Sequence, residues 1–182
     1  EVNPQFDQAN IPNVEVRLID DDQADLVIRE NGNATNILEG GDVDSYDISL
    51  TKKPAAGETV TVDIVFDGTQ LVLNTPLHAD RFALASGGTD EIVASVTFNA
   101  ENYEERVTIQ VVAIDDQLPE NRMQRILRHQ VRGSQTYQDV SRAYDVKVSI
   151  TDNDSAAVIV EETDGSTILT ETQSDEYTVK LS

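Results

Sequence analysis

The sequence predicts an all-β protein, an antiparallel β-sandwich of the immunoglobulin-like type with about seven to nine short strands in its complete module. Most apolar stretches alternate with polar residues at a period of two, as in strands with one buried face. No stretch keeps the spacing of a helix for more than a turn. One alternating apolar row begins at Val60 and another at Val107, and two such rows facing each other would form a sandwich core.

Turn residues separate the predicted strands, chiefly Gly, Pro, Asn and Asp. The strands are expected near residues 14–19, 25–29, 35–38, 45–51, 59–66, 70–73, 92–98, 106–114, 123–131, 144–151, 157–161 and 176–181. The longest irregular segment is expected over 74–91. A compact domain keeps a loop of this length for a reason, and Asp80 supplies a candidate reason.

An internal repeat organises the chain. The strand over 144–151 runs into Asp152-Asn153-Asp154, and the strand over 14–19 runs into Asp20-Asp21-Asp22, so that Asp152 follows Asp20 by 132 residues. The residues that follow also match. Ala24, Leu26 and Ile28 correspond to Ala156, Val158 and Val160, and Tyr46 and Leu50 correspond to Tyr177 and Leu181.

The repeat is one domain long, so we expect a tandem array of modules. Residues 1–22 would be the C-terminal end of a preceding repeat, 23–154 a complete module, and 155–182 the N-terminal strands of a following repeat.

Charge and composition narrow the range of partners. The net charge is −21, with 34 acidic residues against 13 basic ones, which disfavours nucleic acid and anionic membrane surfaces. No apolar run reaches the roughly 18 residues of a spanning helix, so no membrane insertion is expected, and any targeting signal would lie outside this sequence. The chain has no cysteine, and bound metal is a common substitute for disulfides in extracellular modules.

Acidic residues recur where predicted strands end. They are Glu39, Asp80, Asp115, Asp116 and Glu120, and the run Asp152, Asn153 and Asp154. Alternate strand ends of a sandwich lie at the same pole, so these side chains could meet. Carboxylates brought to about 4 Å repel each other by roughly 1 to 4 kcal/mol per pair, which a divalent cation would reverse.

Ca²⁺ suits this donor set best, because it takes six to eight oxygen ligands at flexible angles. Zinc or copper would require His or Cys, and the two histidines, His78 and His129, are far apart in sequence. Solvated acidic turns without a metal are the alternative interpretation of such a pattern.

The chain resembles the Calx-β module found in sodium/calcium exchanger regulatory loops, an integrin subunit and long bacterial surface proteins. The motifs that carry the resemblance are Leu38-Glu39-Gly40, Tyr46 to Leu50, Val107 to Asp116 and Val148 to Asp154. The bacterial tandem-array version is the more similar one. The resemblance implies calcium at one pole, near the junction between modules. The calcium ligands that the resemblance implies are Glu39, Asp80, Asp115, Asp116, the carbonyl of Leu118, Glu120, Asp152, Asn153 and Asp154.

The sequence departs from this family where Asn121-Arg122-Met123 replaces a further acid. We therefore expect about one or two ions, bound at roughly 10⁻⁴ to 10⁻³ M as in extracellular modules. Glu171 is expected to lack partners for a site. Asp20, Asp21 and Asp22 would either lack them too or share an ion across the junction.

The predicted function is structural, a link in a calcium-stiffened array that is extracellular or on a bacterial cell surface. Its partners would be neighbouring repeats, with a host-surface or matrix ligand reached through other domains. A calcium-sensing regulatory module and an accessory domain of a large secreted enzyme are the alternatives. No catalytic motif is present, and His129 is expected to be structural because it falls in mid-strand.

Overall fold

A computed structural model describes residues 23–140, 144–163 and 165–181. The strand predicted over 14–19 and the acids Asp20, Asp21 and Asp22 lie outside these residues. The strands of the described part are β1 (Leu26–Glu30), β2 (Thr35–Leu38), β3 (Asp44–Leu50), β4 (Val60–Asp67), β5 (Leu71–Asn74), β6 (Phe82–Ser86), β7 (Glu91–Phe98), β8 (Val107–Ala113), β9 (Met123–Arg132), β10 (Tyr144–Thr151), β11 (Val158–Glu162) and β12 (Tyr177–Leu181). Two short 3-10 turns, Asn31–Asn33 and Ala79–Arg81, accompany them.

The first ten strands form a β-sandwich. One sheet has four strands in the order β1-β3-β8-β5, and the other has six in the order β2-β10-β9-β4-β7-β6. Neighbouring strands are antiparallel except β2 and β10, which are parallel in the register Thr35↔Val148 to Leu38↔Thr151. The predicted fold class is therefore confirmed.

The core lies between the two sheets and is mainly aliphatic. The row that begins at Val60 belongs to β4 of the six-stranded sheet, and the row that begins at Val107 belongs to β8 of the four-stranded sheet. Both rows are buried, as the alternation predicts. Tyr46 from β3 crosses this core and meets His129 from β9.

One strand was not expected. β6 lies within the loop predicted over 74–91 and, among the described strands, pairs only with β7, at the edge of the six-stranded sheet. Its residues after Phe82 are all exposed, so they carry no burial pattern that alternation could reveal. The described part of 23–154 thus contains ten strands rather than about seven to nine.

Strands β11 and β12 form a separate two-stranded antiparallel hairpin. All of its described residues are exposed, and Lys180 forms a 2.6 Å ion pair with Glu161 across the two strands. Within the described residues, no helix has the length and hydrophobicity to span a membrane.

Candidate metal centre

Four strand ends meet at one pole of the sandwich, which we call the cluster pole: the ends of β2, β8 and β10 and the beginning of β9. β2 ends at Leu38, and its parallel partner β10 ends beside it at Thr151. β9 begins at Met123, opposite Ile150 near the end of β10. The loop from β8 to β9 and the segment after β10 therefore lie beside the turn that follows β2. We call the acidic side chains gathered there the polar cluster; they belong to Glu39, Asp115, Asp116, Glu120, Asp152 and Asp154.

Three carboxylates of the polar cluster are close enough to share one ion. Glu39, Asp152 and Asp154 each offer an oxygen, and these oxygens all lie within 4.8 Å of one another. Ca²⁺ binds oxygen at about 2.3 to 2.6 Å, so two of its ligands are separated by about 5 Å at most. The spacing of the three oxygens is therefore compatible with one calcium ion.

Several oxygens of the polar cluster are buried without a hydrogen-bond donor from any residue that the structure describes. They are Oε2 of Glu39, Oε2 of Glu120 and Oδ2 of Asp154. The Glu39 residue is only 2% exposed, which is unusual for a carboxylate without a cationic partner. A buried oxygen with no donor has a large desolvation cost, and a bound cation would remove it.

Backbone amides hold the Asp152 carboxylate in place. It accepts hydrogen bonds from the amide of Glu120 and from the amide of Asp154, the latter at 2.6 Å. The amide of Glu39 donates to the carbonyl of Thr151 at 3.0 Å. These bonds join the three segments of the cluster.

Asn153 links two of these segments through its side-chain amide. Its Nδ2 donates to the carbonyl of Glu39 at 2.9 Å and to Oδ1 of Asp115 at 3.0 Å. Asn153 thus orients Asp115 and the backbone of Glu39.

Gly40 allows this close approach. Its φ is +59°, and a Cβ at this position would lie 2.7 Å from Oδ1 of Asp115 and 2.8 Å from Nδ2 of Asn153. A larger residue would displace both side chains. The sequence signal for this requirement was the Gly40-Gly41 pair directly after Glu39.

Burial and like charges raise two pKa values in the polar cluster. The pKa of Glu39 is raised first by burial and then by the charges of Asp152, Glu120, Asp116 and Asp154. The pKa of Asp154 is likewise raised by burial and then by Asp152, Asp115 and Asp116. Without a counterion the ionised cluster is therefore unfavourable.

Asp115, Asp116 and Leu118 lie in the loop that follows β8, and all three are exposed. Oδ1 of Asp116 accepts a 2.7 Å hydrogen bond from the amide of Leu118, which shapes this loop. The charge of Asp116 acts on both Glu39 and Asp154. The loop therefore lies against the three-carboxylate group.

Asp80 does not join the polar cluster, contrary to the expectation from the sequence. It is exposed in the Ala79–Arg81 turn, where the Nε of Arg81 donates to the carbonyl of Thr97 at 2.9 Å. Thr97 lies near the end of β7, and β7 begins at the cluster pole and ends at the opposite one. Asp80 is therefore at the far pole of the sandwich.

One polar residue near the cluster pole had no role in the sequence prediction. Gln70 precedes β5, and its carbonyl accepts a 3.0 Å hydrogen bond from the amide of Ile114, next to Asp115. Its Oε1 is buried without a donor. A single Gln before a strand carries no signal that would identify it in sequence.

The donor set contains oxygen only. His129 lies in the core, 3% exposed, with Nε2 2.9 Å from the hydroxyl of Tyr46 and Nδ1 2.6 Å from the carbonyl of Tyr144. Because a carbonyl can only accept, Nδ1 carries the proton and Nε2 accepts from Tyr46. Burial lowers the pKa of His129 to about 4, so the residue is neutral and structural, as its mid-strand position predicted.

Fold and site together define a β-sandwich module with a cluster of oxygen donors at one pole. No protein-family model and no curated protein matches the sequence. Several solved structures are similar in fold. They include the sixth cohesin from scaffoldin B of Acetivibrio cellulolyticus, in complex with a Cel5 dockerin mutant, at 7% identity and a TM-score of 0.45 over 71% of this chain and 99% of that one.

The third cohesin ScaC, from the same organism and in complex with the ScaB dockerin, is 17% identical with a TM-score of 0.44, over 70% of this chain and 97% of that one. BcpA*(D312A), the major pilin subunit of Bacillus cereus, is 10% identical with a TM-score of 0.38, over 85% of this chain and 52% of that one. These likenesses concern the β-sandwich alone, and none assigns a role to the polar cluster.

Proposed function

We propose that this chain is a non-catalytic, calcium-binding structural module, a link in an extracellular or cell-surface tandem array. The observation that carries the proposal is the group formed by Glu39, Asp152 and Asp154, whose oxygens lie within 4.8 Å of one another. Two of these carboxylates also have a buried oxygen without a donor. The resemblance to Calx-β modules supports the same function and remains a prediction from the sequence motifs.

Calcium would act on the connector between β10 and β11, which spans residues 152–157. Asp152, Asn153 and Asp154 are its first residues, whereas Glu39 and Glu120 belong to the sandwich. An ion held by both groups would fasten the connector to the pole. Neighbouring repeats of the same chain would then be the immediate partners, and stiffening of their junction would be the mechanism.

Thermal unfolding tests the calcium proposal. The chain is melted in EDTA, in 10 mM CaCl₂ and in NaCl of matched ionic strength. A dissociation constant of about 10⁻⁴ to 10⁻³ M would stabilise the folded state by about 1.4 to 2.7 kcal/mol at this concentration. We expect the midpoint to rise by about 5 to 10 °C with calcium. An equal rise in the NaCl sample would show charge screening and contradict the proposal.

A further inference from the structure

We infer that the β11–β12 hairpin is the structural counterpart of the β1–β3 pair. Its apolar face would then pack against a sheet of the following repeat that is built like the six-stranded sheet described above. We call this surface the hairpin face; its apolar residues are Val158, Val160, Tyr177, Val179 and Leu181, and Glu162 lies at its edge opposite Tyr177, as Glu30 lies opposite Tyr46. The inference rests on the array part of the proposed function and does not depend on calcium.

The two hairpins have the same register. Each pair between β1 and β3 has its counterpart between β11 and β12 at the positions that the internal repeat makes equivalent. Leu26↔Leu50 corresponds to Val158↔Leu181, Val27↔Ser49 to Ile159↔Lys180, Ile28↔Ile48 to Val160↔Val179, Arg29↔Asp47 to Glu161↔Thr178, and Glu30↔Tyr46 to Glu162↔Tyr177. A slip of one residue would turn every side chain to the other face, so the agreement specifies which face is inward.

Equivalent residues differ sharply in exposure. Leu50 is 4% exposed and Ile48 is fully buried, whereas Leu181 is 80% exposed and Val179 is 55% exposed. The other face of the hairpin carries the ion pair between Glu161 and Lys180 and suits water. The hairpin is therefore amphipathic, and its apolar side is the side that is buried in the first module.

The first module shows what covers such a face. The inward residues of the six-stranded sheet opposite β3 are mostly β-branched or aliphatic, with His129 among them. The hydroxyl of Tyr46 reaches Nε2 of His129, and the two rings meet edge to face with their centroids 5.4 Å apart. The partner of the hairpin face is therefore an aliphatic sheet that offers an acceptor to the hydroxyl of Tyr177. An isolated two-stranded hairpin is at best marginally stable in water, so it needs such a cover.

The inference can be tested within this chain, because its own six-stranded sheet can serve as the partner. The residues of β1 and β3 are replaced in register by those of β11 and β12, and the variant is melted in EDTA. The exchanges are Leu26→Val, Val27→Ile, Ile28→Val, Arg29→Glu, Asp47→Thr, Ile48→Val and Ser49→Lys. We expect one cooperative transition, with a midpoint lower by on the order of 10 °C, because Leu26→Val and Ile48→Val each remove a buried methylene and Ile28→Val a half-buried one, against one gained in Val27→Ile.

The control transplants the same hairpin shifted by one residue, with 159–163 placed over 26–30 and 176–180 over 46–50. It includes Tyr46→Glu, Ile48→Thr and Leu50→Lys, which turn polar groups inward, and we expect no cooperative transition. Single-strand exchanges of β1 or β3 alone separate a packing failure from the combined charge changes. Loss of folding in the in-register variant and in both single-strand variants would overturn the inference.

Val179→Asp in the otherwise unchanged chain tests the competing occupant, a second copy. We expect this variant to have an unchanged molecular mass in solution and an unchanged midpoint, because Val179 is 55% exposed in the described part of the chain. A dimer of the original chain that Val179→Asp converts to a monomer would identify a second copy as the occupant and overturn the partner assigned here. Since every measurement is made in EDTA, failure of the calcium proposal would leave these results unaffected.

Discussion

Glu39 is the residue on which the proposed site depends most. It is a buried carboxylate, and its pKa is raised first by burial and then by the charges of the other cluster carboxylates. A raised carboxyl pKa means that the ionised form is costly in the folded state. Such a group is expected to be destabilising without a cation and a strong ligand with one.

Glu39→Gln should separate these two effects. Removing the charge relieves repulsion, so we expect the midpoint in EDTA to rise or stay level. The loss of a charged ligand should weaken calcium binding at least tenfold, a free-energy change of about 1.4 kcal/mol or more. Calorimetric titration with CaCl₂ measures the affinity.

Asp80→Asn is the matched control, because it also removes one carboxylate but lies at the far pole. It should bind calcium like the unaltered chain. Equal weakening by both substitutions would point to a general charge effect and contradict the assignment of Glu39.

His129 predicts a dependence of stability on pH. Its pKa is about 4 in the folded state against an ordinary value of 6.5, so the unfolded chain binds the proton more readily between these values. The stabilisation from neutral His129 is therefore complete above pH 6.5 and is lost as the pH falls towards 4. The loss should be about 3 kcal/mol over this range.

Urea unfolding at pH 6.5 and pH 4, compared with His129→Gln, isolates this contribution from the carboxylates. Gln can donate to the carbonyl of Tyr144 and accept from Tyr46 without titrating. The unaltered chain should lose about 3 kcal/mol more than the variant on acidification. Equal losses of stability in the two proteins would mean that folding does not lower the pKa of His129.

At the scale of elements, the turn between β2 and β3 decides whether the polar cluster can assemble. Gly40 has a left-handed φ of +59°, and its missing Cβ leaves room for Asp115 and Asn153. Gly32 has a similar φ of +68°, but a Cβ there would meet nothing within 4 Å. Both glycines therefore have a left-handed backbone conformation, but only Gly40 lies where an added Cβ would contact other side chains.

Gly40→Ala and Gly32→Ala form a matched pair. Each should lose about 1 to 2 kcal/mol of stability to backbone strain. Only Gly40→Ala should also lose the calcium-dependent rise in the melting midpoint, because the added methyl group displaces Asp115 and Asn153. Retention of the full calcium response in Gly40→Ala would show that this close approach is not needed.

Most strands could be predicted because their apolar residues alternate, as in β4 and β8. β6 could not, since an exposed edge strand has no buried face to impose alternation. This omission also explains the error at Asp80. β5 begins at the cluster pole and ends at the far one, and β6 carries the chain back. Without β6, the segment 74–91 would have to cross the sandwich as a loop, and Asp80 could be placed at either pole.

At the scale of the whole molecule, the chain enters and leaves the sandwich at opposite poles. β1 begins at Leu26, opposite Leu50 at the end of β3, and β10 ends at Thr151 beside the polar cluster. This topology suits modules joined end to end. The convergence of Glu39, Glu120 and Asp152 could be predicted because all three lie directly before or after strands at the cluster pole. The hydrogen bonds of Asn153 could be identified only from the structure.

Calcium should therefore change the connector more than the rest of the sandwich. We expect the amides of residues 152–157 to exchange with deuterium more slowly in calcium than in EDTA, because the ion would hold the connector against Glu39. The amides of the Ala79–Arg81 turn, at the far pole, should exchange at the same rate in both conditions. Uniform slowing at both poles would indicate global stabilisation without fastening of the connector.

A crystal structure grown in millimolar calcium, with anomalous diffraction recorded, tests the central claim most directly. The account predicts an anomalous peak at about 2.3 to 2.6 Å from oxygens of Glu39, Asp152 and Asp154. Absence of such a peak, with these carboxylates turned separately into solvent, would contradict it.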